Sequence, residues 1–344
     1  MTILVDARPM VDGIAGGVPR VARGLIPALI DACPEHRFVL GTTGMRRQSA
    51  PFTHIRIPNK LWSSLCVARL TSFDRVFAKE KPDHLFLPNI GFIGEPRVPY
   101  TLVVHDLSFL IEPRWFSFKA QWWHRAVQAK KLIKNATHLF AVSERTRNDL
   151  IRLLDISTDK ITVIPMGISS IPIIAEADAV PSLKGRRFVL SLGFGDARKN
   201  SACALAAFHA IKNDVRYADV QFVAVGRKVR PEKDVLAIER PTDKTLAWLM
   251  QNTCALLYPS WYEGFGLPLH EAAQFHTPCI ASTAGALPET APQGTLFAPP
   301  AKPHLWAVAL ADVLEHPEHH QTTTTLGSWS AAAAIIKNIL SRRT

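Results

Sequence analysis

The sequence runs through one pattern twice. Short runs rich in β-branched and aromatic residues alternate with longer stretches of helical period. The alternation stops once, between Ser169 and Gly185, where Pro172 and Pro181 fall in a segment without aromatics. Strands that alternate with helices share a sheet through parallel crossovers, so this rhythm constrains each half to a parallel, doubly wound α/β sheet. In the first half the strand candidates are Thr2–Val5, Arg37–Leu40, His84–Leu87, Tyr100–Val104, His138–Val142 and Ile161–Ile164. The helix candidates are Pro19–Ala32, Ser117–Asn135 and Glu144–Leu154, the last with Ser143 placed to cap it.

After the break, strands are expected at Arg187–Leu192, Gln221–Val225, Ala255–Tyr258 and Pro278–Ala281. Helices are expected at Ala202–Lys212, Thr242–Asn252, Pro268–Phe275 and Ala301–Glu315. At 344 residues the chain is long for one domain and comfortable as two. The expected map is a first domain at 1–168, a linker at 169–186, a second domain at 187–327 and a terminal segment at 328–344, part of an Ala-rich helix over Leu326–Leu340 anchored by Trp329. Ligands of open parallel sheets bind outside the carboxyl ends of the strands, so functional motifs should collect there, in a cleft between the domains.

Composition narrows the class. With 47% hydrophobic and 20% charged residues, the chain has the makings of packed cores and not of a disordered segment. No apolar run reaches the roughly 18 to 20 residues of a membrane span. Asp6 interrupts the stretch where a signal peptide needs its apolar centre, so MTILVDARPM reads as a first strand. The five cysteines are scattered and without CxxC or Cys/His spacing, which favours reduced core thiols and a cytoplasmic setting. Residues 1–168 hold 23 Lys and Arg against 14 Asp and Glu, a balance of +9, whereas the remainder hold 17 against 15, a balance of +2. A basic first half suits an anionic membrane surface or an anionic glycan, with solubility as the ordinary reading. Nucleic acid is disfavoured, because helix-turn-helix, zinc-finger and RNP-type patterns are absent.

The stretch Tyr258–Glu289 carries the most chemistry. Glu263 and Glu271 flank a Gly264-Phe265-Gly266 turn that follows an apolar strand. Pro268 suits the opening of a helix, with Glu271 expected inside its first turn. A strand, a glycine loop and a helix N-terminus leave backbone N–H groups open to an anion, while carboxylates suit hydroxyls. Nucleotide sugars carry both. Taken singly, these features are ordinary: an acid near a helix start complements the dipole, and Gly-Phe-Gly makes a turn. Taken together, the string resembles the donor-site signature of the family 4 glycosyltransferases, retaining enzymes of the GT-B fold. Glu263, Gly264, Phe265, Gly266, Leu267, Pro268 and Glu271 match it, and Thr277-Pro278, Ala281-Ser282 and Leu287-Pro288-Glu289 match its continuation. The resemblance extends from Gly16 to about Ser328. It implies two Rossmann-like domains facing across a cleft, the first binding the acceptor and the second the nucleotide sugar.

Other motifs fit the same resemblance. Arg198-Lys199-Asn200-Ser201 follows a strand and opens a helix, with Asn200 or Ser201 as its cap. It matches the family's Arg-Lys-Asn element, whose Lys grips the donor diphosphate. Phe194 stands where many members carry a further Arg, and Arg198 is the candidate to replace that charge. His105-Asp106 follows a strand as the family's His-Asp element does, which implies a place for His105 beside the anomeric carbon. Gly16-Gly17 precedes the first helix and is similar to the glycine loop that faces the donor phosphate, though Met166 departs from an Asn usual near the end of the first domain.

The resemblance thus implies Lys199 and Arg198 on the diphosphate, Glu271 on the ribose hydroxyls, and Glu263 with the Phe265–Gly266 backbone on the donor sugar. No Asp-any-Asp element occurs, so neither metal nor cofactor is expected. No motif places a nucleophilic carboxylate in the first half, which favours front-face retention, in which the leaving phosphate takes the acceptor's proton. The Arg-Lys-Asn and Gly-Gly elements resemble those of bacterial mannosyltransferases that build surface polysaccharide, with GDP-mannose first among donors and UDP-sugars next. A nucleotide-sugar epimerase and an inactive sugar-nucleotide-binding module are the alternatives. Acceptor contacts are expected from loops such as Thr42–Arg75. The aromatic and basic stretch Trp115–Lys134, with Trp122, Ala126, Ala129 and Ile133 on one helical face, suits either an anionic bilayer or the core.

Overall fold

The computed structural model describes residues 1–11, 16–169, 172, 174–230 and 232–341. They form two compact units, one comprising Met1–Pro113, Ser117–Ser169 and the segment from Gly327 onward, the other comprising Arg114–Phe116 and Ser170–Leu326.

The sheet of the first unit has seven strands: β1 (Thr2–Asp6), β2 (Arg37–Gly44), β3 (Phe52–Arg56), β4 (His84–Leu87), β5 (Tyr100–Val104), β6 (His138–Ala141) and β7 (Ile161–Val163). Their spatial order is β3-β2-β1-β4-β5-β6-β7, and every pairing is parallel. The second sheet has β8 (Phe188–Phe194), β9 (Gln221–Gly226), β10 (Val235–Ile238), β11 (Ala255–Tyr258), β12 (Cys279–Ser282) and β13 (Leu296–Ala298). It is also parallel throughout, in the order β10-β9-β8-β11-β12-β13. The direction of winding reverses between β1 and β4 in the first sheet and between β8 and β11 in the second. Crevices open beyond the carboxyl ends of the strands at such reversals.

Central strands read as nearly unbroken apolar runs because helices cover both faces. All five residues of β5 are buried, as are all four of β4, β6, β11 and β12. Where a polar side chain enters such a run it is paired across strands: His84 Nε2 meets Thr101 Oγ1 at 3.2 Å, and His138 Nε2 meets Thr162 Oγ1 at 2.8 Å. In the second unit one face of the sheet packs Trp306, Phe208 and Phe222, and the other packs Leu249, Leu256 and Leu269. Four cysteines are buried, Cys254 is partly so, and none is bonded to another. Burial raises the thiols of Cys66 and Cys203 to about 11 and that of Cys279 to about 12, so they stay protonated and inert.

The helix Glu144–Leu154 forms with the expected cap, Ser143 Oγ accepting from the Thr146 N–H at 3.1 Å. Thr242 caps Asp243–Asn252 in the same way. The first helix starts earlier than expected, at Gly17. Two corrections are larger. The single helix expected at Ser117–Asn135 is two, Phe118–Ala126 and Ala129–Asn135, broken where Gln128 takes a left-handed φ of 52°. The common face proposed for that stretch therefore does not exist: Ala129 and Ile133 are buried, whereas Trp122 is 55% exposed. The Thr42–Arg75 segment, expected as loops, contributes the end of β2, all of β3, the helix Asn59–Val67 and most of a helical turn at Phe73–Val76.

Beyond Gly327 the chain packs within the first unit. The helix Ser330–Ser341 lies along Gly17–Ala32, and Lys337 reaches the Ala32 carbonyl at 2.7 Å. Trp329 is the anchor. Its indole fills the space above Gly24 and Gly167, where a Cβ would come within 2.0 Å and 2.6 Å of the ring. Its Nε1 finds no acceptor among the described residues, so packing holds the ring. Trp329→Ala should cost about 3–5 kcal/mol, read as a lower midpoint in urea denaturation. Gly24→Ala, which expels the ring without removing it, should lower the midpoint as well.

Candidate functional site

The reversal between β8 and β11 holds a buried ionic cluster. β8 runs to Phe194 and the chain then turns through Arg198 and Lys199 before the helix Ser201–Lys212. β11 ends at Tyr258 and continues to Glu263. The two loops are stitched together by the Trp261 N–H donating to the Arg198 carbonyl at 2.8 Å. Asn200 occupies the cap position of the helix in a left-handed conformation, but its side chain makes no capping bond. Its Nδ2 donates instead to the carbonyls of Pro259 at 3.1 Å and Pro300 at 2.8 Å. Asn200 is thus a bracket between loops rather than the capping side chain expected.

Lys199 Nζ donates to Glu263 Oε1 at 2.7 Å and to the Tyr258 hydroxyl at 2.6 Å. Arg198 Nη1 donates to Glu263 Oε2 at 3.0 Å and to the Tyr262 carbonyl at 2.9 Å. The approach is possible because residue 193 is glycine, at φ +90°: a Cβ there would lie 2.5 Å from Lys199 Cγ. Phe194 turns away and packs edge-on against Phe222. Arg198 is therefore the second cation that meets Glu263.

Glu263 serves two cations here, and Arg198 Nη2 also meets Asp196 Oδ2 at 3.5 Å. Burial alone would push the Glu263 carboxyl up, but Lys199 and Arg198 override it and pull the pKa down to about 2. Burial lowers the Lys199 pKa, Glu263 only partly opposing it and Arg198 adding to it. Tyr258 is pushed well above its ordinary range, by burial first and then by Glu263, with Glu271 contributing. It is a neutral hydroxyl that accepts from Lys199 and can donate onward.

The loop Gly264-Phe265-Gly266 leads into a short helix, Leu267–Ala273, capped by Gly266 at φ 103°. Thr290 Oγ1 donates to the Phe265 carbonyl, and the Ala286 N–H donates to the Glu263 carbonyl at 2.9 Å, which fixes the loop from below. Leu267 and Pro268 open the helix, and Glu271 is its fifth residue. The expectation of Glu271 in the first turn is thereby corrected. It stands one turn in, so the dipole of the free N–H groups accounts for little of its placement.

The remaining candidates lie in the first unit. His105 follows β5, and its Nε2 donates to the Pro88 carbonyl at 2.8 Å, leaving Nδ1 as the acceptor. Burial lowers its pKa, against the Pro88 carbonyl and Asp106, so the imidazole is neutral. The Asp106 carboxylate accepts from the Ser108 N–H at 2.9 Å and hydroxyl at 2.6 Å, so it builds the local turn. Gly16, at φ 122°, precedes the helix that begins at Gly17. Among the described residues one group has metal-ligand spacing, the exposed His316, Glu318 and His319, and it shares no residue with the Glu263 cluster.

Two parallel, doubly wound units of this topology, the second with an ionic cluster at its winding reversal, define the GT-B class. The family model for Glycosyltransferase Family 4 matches residues 15–170, and that for Glycosyl transferases group 1 matches residues 174–325. The two matches together span most of the chain, which is glycosyltransferase family 4-like. It is 28% identical over 222 residues to the O-antigen chain mannosyltransferase B of Escherichia coli, covering 57% of this chain and 56% of that protein. It is 23% identical over 232 residues to an O-antigen chain mannosyltransferase of Salmonella typhimurium, covering 63% and 62%. The match thus spans less than two thirds of either relative. Among solved structures it is similar in fold to a sucrose-phosphate synthase of Thermosynechococcus elongatus, with a TM-score of 0.75 at 21% identity over 99% of this chain and 98% of that one. WaaG, a glycosyltransferase involved in lipopolysaccharide biosynthesis, gives a TM-score of 0.64 at 14% identity, covering 98% and 95%.

Sequence reading singled out neither Tyr258 nor His270. Tyr258 had a signal, a hydroxyl-bearing residue at the carboxyl end of a strand beside the reversal. His270 had none, since its partners are remote in sequence. Its Nε2–H donates to the Thr290 carbonyl at 2.6 Å, and its Nδ1 meets the Thr324 hydroxyl at 2.8 Å. Burial pushes its pKa down to about 4, against the Thr290 carbonyl. The unfolded chain, near 6.5, therefore binds the proton more tightly. Stability from this group is complete above pH 6.5 and should be lost as pH falls to about 4, amounting to about 3 kcal/mol. Urea denaturation across that window should show the loss in the native chain, and His270→Gln should flatten it.

Proposed function

We propose that this chain is a retaining glycosyltransferase that moves a hexose, mannose from GDP-mannose in the first instance, to a glycan or lipid-linked acceptor in the synthesis of surface polysaccharide or lipopolysaccharide. The observation that carries the reading is the Arg198–Lys199–Glu263 cluster at the reversal of the second sheet. Lys199 and Arg198 share Glu263, and Arg198 also meets Asp196 at 3.5 Å, so two cations with exchangeable partners stand beside a glycine loop. A donor diphosphate can take over hydrogen bonds from Arg198 and Lys199, with charge-assisted bonds of about 1.5–3 kcal/mol each. Glu263 is then released to accept from hydroxyls of the donor sugar, with the Gly264–Leu267 backbone alongside. Tyr258 steadies Lys199 throughout.

The chemistry asked of these residues is stabilisation of negative charge on the leaving diphosphate. The bond from the anomeric carbon to the phosphate oxygen breaks, and the bond to the acceptor oxygen forms on the same face. The acceptor's proton passes to the departing phosphate. Retaining glycoside hydrolases use paired carboxylates about 5 Å apart, whereas Glu263 is committed to two cations and is poorly suited to attack. Neutral His105 serves as an uncharged hydrogen-bonding group near the anomeric centre, and Gly16-Gly17 allows close backbone approach to the phosphate. Neither metal nor cofactor takes part. The relatives named for O-antigen mannosyl transfer support mannose. A UDP-sugar donor is the second reading, favoured by a structural relative from Anabaena whose structure holds UDP and glucose. The basic first unit suits a peripheral station on an anionic, cytoplasmic membrane face, and no helix among the described residues is long and apolar enough to cross a membrane.

Release of nucleotide diphosphate from GDP-mannose and a panel of UDP-sugars tests the reading. Turnover with one donor supports it, interconversion of sugars would make the protein an epimerase, and neither would leave a binding module. Turnover should survive EDTA; restoration by Mg²⁺ or Mn²⁺ after its loss would refute metal independence. Glu271→Ala should weaken nucleotide binding by about 1.5–3 kcal/mol, roughly tenfold to a hundredfold, in calorimetry, with the fold unchanged by circular dichroism.

A further inference from the structure

The first sheet has its own winding reversal, between β1 and β4, and a cavity of about 1180 Å³ opens there. Asp6 at the end of β1 and Arg8 just after it contribute to the lining, with Asn89–Phe92 following β4. That charge is already satisfied. Arg8 Nε and Nη2 donate to Asp6 at 2.7 Å and 2.6 Å, Nη1 donates to the Phe92 carbonyl at 2.9 Å, and the guanidinium lies over Phe73 at 4.9 Å. Asp6 is the one carboxylate among the described lining residues, and it is consumed by this pair.

What remains is divided in character. Trp62, Trp122, Trp123, Phe92, Met45 and Val67 form an extensive apolar lining. Trp122 is 55% exposed and Met45 52%, which leaves apolar surface in water at a concave site. Asn59, Ser63, Ser64 and Asn89 offer hydrogen-bonding groups. Arg46, Lys60 and Lys119 are exposed lining residues, and none has a carboxylate partner among the described residues. A neutral glycan could stack on the tryptophans, but it would leave three cations unanswered. An anionic amphiphile answers both halves, with its chain on the apolar lining and its head among the amides, hydroxyls and cations.

We propose that this cavity binds the acceptor, and that the acceptor is an amphiphile: an apolar chain joined to a hydroxyl-bearing, phosphate-carrying head group. The inference rests on the transferase reading and chooses, between its two acceptor classes, the lipid-linked one. The three tryptophans provide the reporter. Farnesyl phosphate, titrated below the concentration at which it aggregates, should change the intrinsic fluorescence saturably. Farnesol should bind at least tenfold more weakly, inorganic phosphate should not saturate, and a soluble oligomannose should leave the signal flat. The surface double variant Lys60→Glu/Lys119→Glu should weaken farnesyl phosphate at least tenfold, and Trp122→Ala, followed by calorimetry, should weaken it too. Both should bind nucleotide as the native chain does, which separates loss of this site from loss of fold. Equal binding of farnesol and farnesyl phosphate, saturation by the oligomannose instead, indifference to both variants, or no saturable binding would each overturn the proposal. Donor turnover with chain-free glycans alone would overturn it while the transferase reading stands. Tight, variant-sensitive amphiphile binding without any donor turnover would uphold the site and remove the transferase reading.

Discussion

A parallel strand buried on both faces has almost no room for polar chemistry along its length, and this constraint organises both units. The exceptions prove costly enough to be paired on the spot, as with His84 and Thr101 or His138 and Thr162. Charged groups are displaced to the carboxyl edge, where the backbone leaves the sheet and water or a ligand can reach it. At the reversal of winding the connections diverge to opposite sides and leave an opening between neighbouring strands. The second sheet fills its opening with Arg198, Lys199, Tyr258 and Glu263, and the first leaves a cavity beside Asp6 and Arg8.

The two openings pair their charges differently. At the second, Glu263 is shared between Lys199 and Arg198, Arg198 also meets Asp196, and Glu263 is strongly acidic. Such a cluster is satisfied without ligand, and a diphosphate can supply the acceptors that Glu263 provides. At the first, Asp6 and Arg8 cancel each other, and the character of the cavity passes to its aromatic lining and exposed basic residues.

Much of this was legible in the chain. Central strands such as Tyr100–Val104 and Ala255–Tyr258 coincide with their apolar runs, since burial on both faces writes itself directly into composition. The strands that escaped notice, β3, β10 and β13, are all at sheet edges. Edge strands are short and half-exposed, and their period is too weak to stand out from a loop. Nothing local marked the break at Gln128, which carries neither glycine nor proline. The positions of Lys199, Arg198 and Glu263 followed from motif spacing, but their convergence on one another did not.

The sequence by itself determined the two-fold alternation, the parallel sheets, the cap at Ser143 and the glycine loop between Glu263 and Glu271, because each is written in residues near one another along the chain. Tertiary structure alone decided that Asn200 brackets two loops, that His270 bonds Thr290 and Thr324 and is held neutral by burial, that Tyr258 shares Lys199 with Glu263, and that Trp329 closes over Gly24 and Gly167. Each joins residues dozens or hundreds of positions apart. The free energy of such a contact depends on burial and on which other groups compete for it, and neither is a property of any local stretch of chain.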